Sequence, residues 1–484
     1  MAIRTSQEYL ADVSRLKPRV FIGGERVDDL MSNPVTRSVV ETTARVYELT
    51  CDPRFEKTLT ARSHLTGEPI SRNNHACRST GDLENRMEMT LQIAQEIGTC
   101  NYRCVACDAV SALSCTAFEM DRDLGTTYSD RFNRYLKRAQ DLDLALSAAM
   151  TDPKGDRAKR PSEQDDPDMY LRVVEKNSDG IVVRGAKMNQ SGAIVVNETI
   201  VLPGRAMGEK DREYALAFAV PNGSPGMTYI AQFTPFTAER LLAGDIFELG
   251  NPRYGVRETS MVVFDDVFVP WENVFMCGEA AYAGKAVARF ARMHRMTCGG
   301  GCKAGFADLL IGGAQTVAEY LGLEKTSHIQ EKITDMIKIR ETVYACAVAA
   351  ALRGKEEVGG SGFYFPDDMF GNIAKLNVAH GFWDLMELAG DIGGGMIVTM
   401  PSEKELKNPE TREYIKKYLK TKVPAEKRMR ITKFLQNWTA GLHGVGTWHG
   451  AGSTVAQRIA ISRLADLESK KRMAQKMAGL LEGQ

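Results

Sequence analysis

Residues 170–188 read YLRVVEKNSDGIVVRGAKM, and they predict two β-strands joined by a turn at Asp179-Gly180. Valine and isoleucine alternate with polar residues on both sides of that turn, as in a half-buried strand. Similar runs continue to about Asn273, separated by glycine and proline: IVVNETIVLP (194–203), YALAFAVP (214–221) and SMVVFDDVFVP (260–270). The middle of the chain is therefore predicted to form an antiparallel sheet or barrel.

Helical periodicity flanks this β region on both sides. It is clearest in PVTRSVVETTARVYEL (34–49) and DLENRMEMTLQIAQEIG (82–98) before the strands, and in GFADLLIGGAQTVAEYLGL (305–323) after them. The sequence therefore predicts an α+β multidomain protein with an N-terminal α-helical domain at 1–145, a middle β domain at 146–275 and a C-terminal α-helical domain at 276–484. Clefts between such domains are the usual places for cofactors.

The composition favours a small-molecule partner. The chain has 484 residues, of which 43% are hydrophobic, and its 62 Lys and Arg balance 62 Asp and Glu. No net field would therefore direct it toward nucleic acid or an anionic membrane surface. The first residues contain no apolar signal region, and no run approaches the ~18 apolar residues of a membrane span. We therefore expect a cytoplasmic protein.

Two segments rich in cysteine are candidate metal ligands. Cys100 and Cys104 follow a helical pattern, and a four-residue separation would place both sulfurs on one helix face. His294, Cys298 and Cys302 lie far along the chain, beside three consecutive glycines that would admit a bulky centre. Two ligands from each segment would complete a four-coordinate site, and thiolates suit iron–sulfur clusters. A structural zinc site and ordinary buried cysteines are the alternatives.

These motifs, with several others in the same order, resemble the 4-hydroxybutyryl-CoA dehydratase/vinylacetyl-CoA Δ-isomerase family over essentially the whole chain. That family is related to 4-hydroxyphenylacetate 3-hydroxylase and has an acyl-CoA dehydrogenase-like fold. The matching blocks are the CxxxC pair, HR and GGCK around the second segment, MTDPKGDR (150–157), GAKMNQSG (185–192), Glu258 before MVVFDDVF, DIGGGMIVTMPS (391–402) and HGAGS (449–453).

The resemblance implies two cofactors, FAD and a [4Fe-4S] cluster. It assigns the cluster ligands to Cys100, Cys104, His294 and Cys302, although Cys298 could take the place of Cys302. It also implies contacts to FAD or CoA by two glycine-containing loops and the start of the β domain, at Met150, Asp152, Lys154, Gly155, Arg157, Gln190, Ser191, Gly393, Gly394 and Gly395. A solvated turn is the alternative for the first of these segments.

The implied reaction is the dehydration of a hydroxyacyl-CoA. In the family, 4-hydroxybutyryl-CoA becomes crotonyl-CoA through an enoxyl or ketyl radical, and vinylacetyl-CoA isomerisation accompanies it. The family's catalytic positions correspond to His294, Glu258 and Lys303. The alternatives are that His294 is a core or surface histidine, that Glu258 is an exposed charge at a strand end and that Lys303 is solvated. The resemblance also implies a homotetramer.

The chain departs from the family pattern at two places. No acidic residue stands between Gln436 and His449, where the family has a catalytic glutamate, so His443 or His449 is a candidate replacement. The family's tyrosine between HR and GGC is also absent, and this stretch carries one extra residue. Two other functions remain open: a reduced-flavin aromatic monooxygenase of the 4-hydroxyphenylacetate 3-hydroxylase type, and a non-catalytic flavin or iron–sulfur redox protein.

Overall fold

The structure, a computed structural model, describes residues 3–231 and 246–480. Within these ranges the six helices of the first part are α1 Ser6–Val13, α2 Pro34–Cys51, α3 Glu56–Leu59, α4 Thr80–Ile97, α5 Cys104–Leu124 and α6 Tyr128–Asp141. The helices described after the strands are α7 Ala280–Met296, α8 Lys303–Leu321, α9 Ser327–Leu352, α10 Asp368–Gly393, α11 Met396–Thr399, α12 Glu403–Lys407, α13 Arg412–Tyr418, α14 Ala425–Thr439, α15 Leu442–His449, α16 Thr454–Leu464 and α17 Leu467–Met477. Short 3₁₀ turns lie at Pro53–Phe55, Arg72–Asn74, Pro161–Glu163, Pro167–Met169, Glu209–Tyr214, Ile246–Leu249 and Trp271–Asn273.

The strands form two main sheets and two small hairpins. They are β1 Val20–Ile22, β2 Glu25–Val27, β3 Thr60–Arg62, β4 Pro69–Ser71, β5 Leu146–Ala149, β6 Arg172–Lys176, β7 Gly180–Gln190, β8 Glu198–Val201, β9 Leu216–Pro221, β10 Met227–Ala231, β11 Ser260–Pro270, β12 Val274–Cys277, β13 Lys355–Glu356 and β14 Tyr364–Phe365. The six-stranded sheet has the order β2-β1-β10-β11-β7-β6, and the four-stranded sheet has the order β12-β9-β8-β5. The predicted hairpin is confirmed, because β6 and β7 pair antiparallel on either side of Asp179.

Two strands from the first part of the chain extend the larger sheet. β1 and β2 form a hairpin across Gly23 and Gly24, whose φ values of +59° and +87° need residues without a Cβ. β1 then pairs with β10 in parallel, and β5 pairs with β8 in parallel; the other strand pairs are antiparallel. Residues 20–27 therefore belong to the sheet, a contribution that the helical prediction for this part of the chain did not include.

Helices α8, α9, α10 and α14 share one apolar core. Phe306 of α8, Val378 and Phe382 of α10 and Trp438 of α14 are almost fully buried in it. The rings of Phe306 and Trp438 lie 5.0 Å apart. Truncating either ring to alanine would cost about 3–5 kcal/mol, so this contact helps to hold α8 against α14. The described part of the chain contains no helix that is both long and apolar enough to cross a bilayer.

Candidate active site

The first cysteine segment lies in the turn between α4 and α5. Gly98 ends α4 in the left-handed conformation, with a φ of +63°, and Cys104 is the first residue of α5. The sulfurs of Cys100 and Cys104 form a hydrogen-bonded pair. Cys100 precedes the helix, so the turn brings the two thiols together, not the shared helix face that the spacing suggested.

A buried arginine fixes this turn in place. Arg103 donates a 2.6 Å hydrogen bond to Asp143, and both side chains are inaccessible to solvent. The guanidinium also lies 4.1 Å from the ring centroid of Tyr47. Removing one partner of such a buried pair typically costs about 3–5 kcal/mol, so the pair holds the turn beside the cysteines in place.

The second segment is a π-helical turn inside a long helix. Residues Thr297–Cys302 form it, directly between α7 and α8. A Cβ on Gly300 would collide with Ala347 of α9, and one on Gly301 would collide with the Met87 carbonyl of α4. The glycines thus let the π turn pack against two helices, whereas the sequence suggested that they make room for a bulky centre. Single π turns of this kind occur most often at functional sites.

His294 lies in the last turn of α7, close to the same region. Its Nδ1 lies 2.8 Å from the Asp108 carboxylate of α5, and its ring stacks on Phe290. Burial lowers the pKa of His294, but the charge of Cys298 and the carboxylate of Asp108 outweigh it and raise this pKa to about 10. The imidazole is therefore held in one orientation, with Nε2 left for Cys298.

The two cysteine segments meet. Cys298 is hydrogen-bonded to Cys302, and its charge acts on both Cys100 and Cys104. The bond from Cys104 lowers the pKa of Cys100 to about 7, and the bond from Cys302 holds the pKa of Cys298 well below its usual value. Each pair therefore favours one thiolate, which is the form that binds metals.

Three cationic side chains surround these sulfurs. Lys303 and Lys375 are buried and Arg257 is half-buried, and a Cβ on Gly450 would lie 3.5 Å from the Cys298 sulfur and 3.6 Å from the Lys303 Nζ. Lys375 donates a 2.7 Å hydrogen bond to the Trp448 carbonyl. None of the described carboxylates lies within ion-pair distance of any of the three cations. The site is thus a buried cationic pocket that would stabilise an anion.

Glu258 connects this pocket with the start of the β domain. It is fully buried, its Oε2 accepts a 2.7 Å hydrogen bond from the Gly192 amide, and its Oε1 accepts one from Ser260. Burial raises the pKa of Glu258 to about 7 and outweighs both hydrogen bonds; the charge of Cys100 raises it further. The carboxyl is therefore not an exposed strand-end charge, and it is suited to proton transfer near neutral pH.

Tyr102 joins the Glu258 region to the first cysteine segment. Its hydroxyl donates to the Val256 carbonyl at 3.0 Å and accepts from the Glu258 amide at 3.2 Å. Its ring fills the space that a side chain at Gly192 would occupy. Gln190 and Ser191, predicted to face the flavin, thus lie beside Glu258, with Gln190 buried and Ser191 half-buried.

The predicted phosphate-binding loop after β5 has both structural and exposed members. Asp152 is buried and forms a 2.6 Å ion pair with Lys187, which also donates to the Met150 carbonyl at 3.2 Å. Lys154 has a φ of +83° and is partly buried, and burial lowers its pKa. Gly155 and Arg157 are exposed. The loop is therefore anchored through Asp152, with Lys154 partly buried and Arg157 exposed.

The predicted glycine loop lies elsewhere in the chain. Gly393 is the last residue of α10 and Lys375 lies earlier in the same helix, so about 27 Å of helix axis separates them. Gly394 has a φ of +61°, and both it and Gly395 are exposed. Within one chain, this loop does not join the pocket around the cysteines.

Four of these side chains were not foreseen from the sequence: Asp108, Lys375, Arg257 and Tyr102. Asp108 lies four residues after Cys104, a spacing that could have marked it, but an internal helix lysine such as Lys375 carries no such signal. His443 is buried, with its Nε2 3.2 Å from the Thr99 hydroxyl, and burial lowers its pKa to about 3. It is therefore neutral at physiological pH. The side chain of His449 lies outside the described residues.

The chain matches the two family models described as 4-hydroxyphenylacetate 3-hydroxylase N terminal, over residues 5–276, and C terminal, over residues 283–479. It is 38% identical to the 4-hydroxybutyryl-CoA dehydratase/vinylacetyl-CoA-Δ-isomerase of Clostridium aminobutyricum, over 99% of this chain and 100% of that protein.

Solved structures agree with these matches. An oxygen-tolerant archaeal 4-hydroxybutyryl-CoA dehydratase from N. maritimus superposes with a TM-score of 0.95 at 38% identity, covering 99% of this chain and 96% of that one. The oxygenase component of 4-hydroxyphenylacetate 3-monooxygenase complexed with FAD gives 0.84 at 25% identity, with 98% of both chains covered. Butyryl-CoA dehydrogenase from Megasphaera elsdenii superposes with a TM-score of 0.51 at 17% identity, covering 90% of this chain and 98% of that one. This likeness shows the fold alone. The predicted acyl-CoA dehydrogenase-like fold is thereby confirmed.

Proposed function

The chain belongs to the 4-hydroxybutyryl-CoA dehydratase branch of the 4-hydroxyphenylacetate 3-hydroxylase family, and from this membership we propose that it is an FAD-dependent dehydratase of a short hydroxyacyl-CoA. The favoured substrate is 4-hydroxybutyryl-CoA and the product crotonyl-CoA, with vinylacetyl-CoA isomerisation as a second activity. A substrate radical of the enoxyl or ketyl type fits this chemistry, because the hydrogen at C3 is not acidic in the ground state.

One observation carries the proposal. Two cysteine segments almost two hundred residues apart, at Cys100 and Cys298, meet in one buried pocket beside Glu258. A monooxygenase has no use for four thiols and an imidazole in such a pocket. A dehydratase that depends on an iron–sulfur cluster needs this donor set.

The donor chemistry fits a [4Fe-4S] cluster better than a single ion. No group of three or more described His, Cys, Asp or Glu side chains converges closely enough to hold one metal ion, which weighs against the zinc alternative. The ligands of a four-iron cluster each bind a different iron, so they surround the cluster instead of converging on one point. Cys100, Cys104 and Cys302 would hold it together with a fourth donor, for which the family pattern names His294. The cations Lys303 and Lys375 would balance its negative charge.

The chain's own residues supply binding and proton transfer. When bound, FAD would supply one-electron oxidation and reduction, and an iron of the cluster would supply a Lewis acid for the departing hydroxyl. Glu258, with a pKa near 7, is suited to accept the C2 proton of the substrate. Lys303 and Arg257 would stabilise the negative charge that develops on the thioester oxygen.

The segments around the pocket fit the two larger ligands. Gln190 and Ser191 lie beside Glu258, where a flavin ring would face the acid. Lys154 and Arg157, in the loop after β5, suit a diphosphate or CoA phosphate. FAD is present in the solved oxygenase relative, which supports the same cofactor here.

We also propose a homotetramer in the cytoplasm. Gly394 and Gly395 are exposed and far along α10 from the pocket, where they could contact a cofactor of a neighbouring subunit. All ten cysteines are free thiols, which suits a reducing compartment.

Anaerobic purification followed by iron, sulfide and flavin analysis tests the proposal. We expect about four irons and one FAD per chain, together with conversion of 4-hydroxybutyryl-CoA to crotonyl-CoA. The Cys104→Ala variant should lose the cluster and the dehydration together; turnover retained without iron would contradict the role of the cluster.

The second candidate is a reduced-flavin monooxygenase. The structural likeness to the oxygenase component at a TM-score of 0.84 favours it, although the identity is lower than to the dehydratases. Iron-free protein that hydroxylates a phenol with reduced FAD and oxygen would establish this function in place of the dehydratase. A redox protein without catalytic activity would bind flavin or iron but turn over neither substrate.

A further inference from the structure

The buried carboxyl of Glu258 has two hydrogen-bond donors of different kinds. The Gly192 amide donates to Oε2 at 2.7 Å, and the Ser260 hydroxyl donates to Oε1. A backbone N–H can only donate, whereas a hydroxyl can donate or accept. From this asymmetry we infer that Ser260 is a positioning residue for the base, which sets the proton affinity of Glu258 and favours uptake of the proton at Oε1. The inference rests on the proposed function, because it concerns the base proposed there.

Ser260 is itself held on both sides. It is the first residue of β11, it is fully buried, and it pairs with Gln190 of β7 and with Ala231 of β10. A serine fixed between two neighbouring strands keeps its place, so its hydroxyl defines where Oε1 lies. The carboxyl of Glu258 is thereby oriented by the sheet and not by the loop that carries it.

An irregularity in the sheet lies directly beside Ser260. Ser260 pairs with Gln190 and Val262 pairs with Lys187, so β7 has one residue more than β11 between these pairs. Asn189 lies within this β-bulge and has a φ of +58°, a left-handed conformation that asparagine tolerates better than most residues. Bulges are frequent next to active sites, where they redirect a strand. β7 ends directly after the bulge, which therefore sets the direction in which the chain leaves the sheet.

The turn after β7 places the second donor. Gly192 has a φ of +74°, and a Cβ there would collide with the ring of Tyr102. Glycine is therefore needed to bring this amide up to Glu258. The amide cannot accept, so Oε2 remains an acceptor when the carboxyl gains a proton. In the proposed step the C2–H bond of the substrate breaks, its electron pair stays on the thioester enolate and the proton goes to Oε1.

The groups around this carboxyl leave Ser260 with a large influence. Cys100 and Tyr102 face it from the turn between α4 and α5, and Arg257, its neighbour in sequence, donates instead to a carbonyl of α15. Burial raises the pKa of Glu258 to about 7, the hydrogen bonds from Ser260 and from the amide lower it, and the charge of Cys100 raises it further. Loss of the Ser260 hydroxyl should therefore raise this pKa above its present value.

Infrared titration of the anaerobically purified protein tests this inference without any need for turnover. The carboxyl band that Glu258→Gln removes should titrate near pH 7 in the wild type. In Ser260→Ala it should titrate about one pH unit higher, since a hydrogen bond to the charged form is lost. Ser260→Thr keeps a hydroxyl and should restore the wild-type midpoint. Ser38→Ala is the matched control, because Ser38 is a buried serine of α2 that bonds the Arg253 carbonyl. Equal midpoints in Ser260→Ala and the wild type overturn the inference.

The pH dependence of dehydration separates this inference from the proposed function. We expect the acid limb of kcat/KM to move up by about one pH unit in Ser260→Ala, with the iron and flavin content of the wild type. A rate that falls by the same factor at every pH, with an unmoved midpoint, would mean that Ser260 only supports the fold, and it overturns the inference alone. Wild-type protein that does not dehydrate 4-hydroxybutyryl-CoA at any pH overturns the proposed function, whereas the infrared midpoints still decide whether Ser260 sets the proton affinity of Glu258.

Discussion

Replacing Lys375 by methionine should stabilise the iron-free protein while it impairs catalysis. Lys375 is fully buried in α10, and none of the described carboxylates pairs with it. Burial, reinforced by the charge of Lys303, lowers its pKa from the ordinary 10.5 to about 7. At about 1.4 kcal/mol per pKa unit, this difference corresponds to a cost of about 5 kcal/mol for holding the charged lysine in the folded protein.

The sign of the pH dependence follows from the lowered pKa. The unfolded chain keeps the proton of Lys375 up to about pH 10.5, whereas the folded protein releases it near pH 7. The full cost is therefore present below pH 7 and is relieved as the pH rises toward 10.5. Methionine removes the charge but also the hydrogen bond to the Trp448 carbonyl, which contributes about 1.5–3 kcal/mol. We expect a net gain of about 2 kcal/mol at pH 7, which disappears at alkaline pH.

Urea unfolding of the iron-free protein between pH 6 and 10 measures this gain. Lys433→Met is the matched control, because Lys433 is an equally buried lysine that forms an ion pair with Glu248. Its removal takes the cation away from a buried carboxylate and should cost about 3–5 kcal/mol. If Lys375→Met destabilises the protein like the control, at every pH, the charge of Lys375 is compensated and our reading of the cationic pocket is wrong.

Three further predictions concern the acid, the histidine tether and the π turn. Glu258→Gln should lower kcat by about 10²–10⁴-fold, and the wild-type rate should rise with pH through about 7 as the carboxyl ionises; a rate independent of pH in this range would remove Glu258 as the base. Asp108→Asn should lower turnover about 10–100-fold with the iron content retained, since it releases only the orientation of His294; loss of iron instead would mean that the carboxylate maintains the cluster itself. Gly300→Ala should lower the free energy of unfolding by about 1–3 kcal/mol, because the π turn must move away from α9. Gly312→Ala is the control: it lies in open space on α8 and should raise the free energy of unfolding by up to about 1 kcal/mol. Equal effects of the two substitutions in thermal unfolding would show that Gly300 is not there for packing.

The sequence predicted the architecture because periodicity is a local property. The hairpin at Asp179 and the long helices on both sides follow from alternation and helical spacing alone. Strands β1 and β2 were missed because each has only three residues, and their hairpin joins the sheet only through the pairing of β1 with the distant β10. Three residues cannot show a period, so such a pairing is visible only in the folded chain.

The candidate site was predictable where a motif names it and not elsewhere. The cysteines and Glu258 were found through blocks of sequence, but the reasons given for them changed. The thiols at Cys100 and Cys104 meet across a turn, and the glycines after Cys298 pack against helices. Lys375 could not be found at all, because nothing in the sequence of α10 distinguishes a lysine that faces the pocket from one that faces solvent.

The chain has equal numbers of acidic and basic residues, but positive charge is concentrated around the thiols. Lys303, Lys375 and Arg257 face the thiols without any described carboxylate as a partner, although the whole chain has no net charge. Each buried cation opposes folding unless an anion lies beside it. An anionic cofactor or substrate in the pocket would offset that cost, so its binding and the stability of α8 and α10 must be coupled. Lys375, which helps to prepare this site for an anion, thus also makes the empty pocket unfavourable, and neutralising it should weaken ligand binding and strengthen the ligand-free fold.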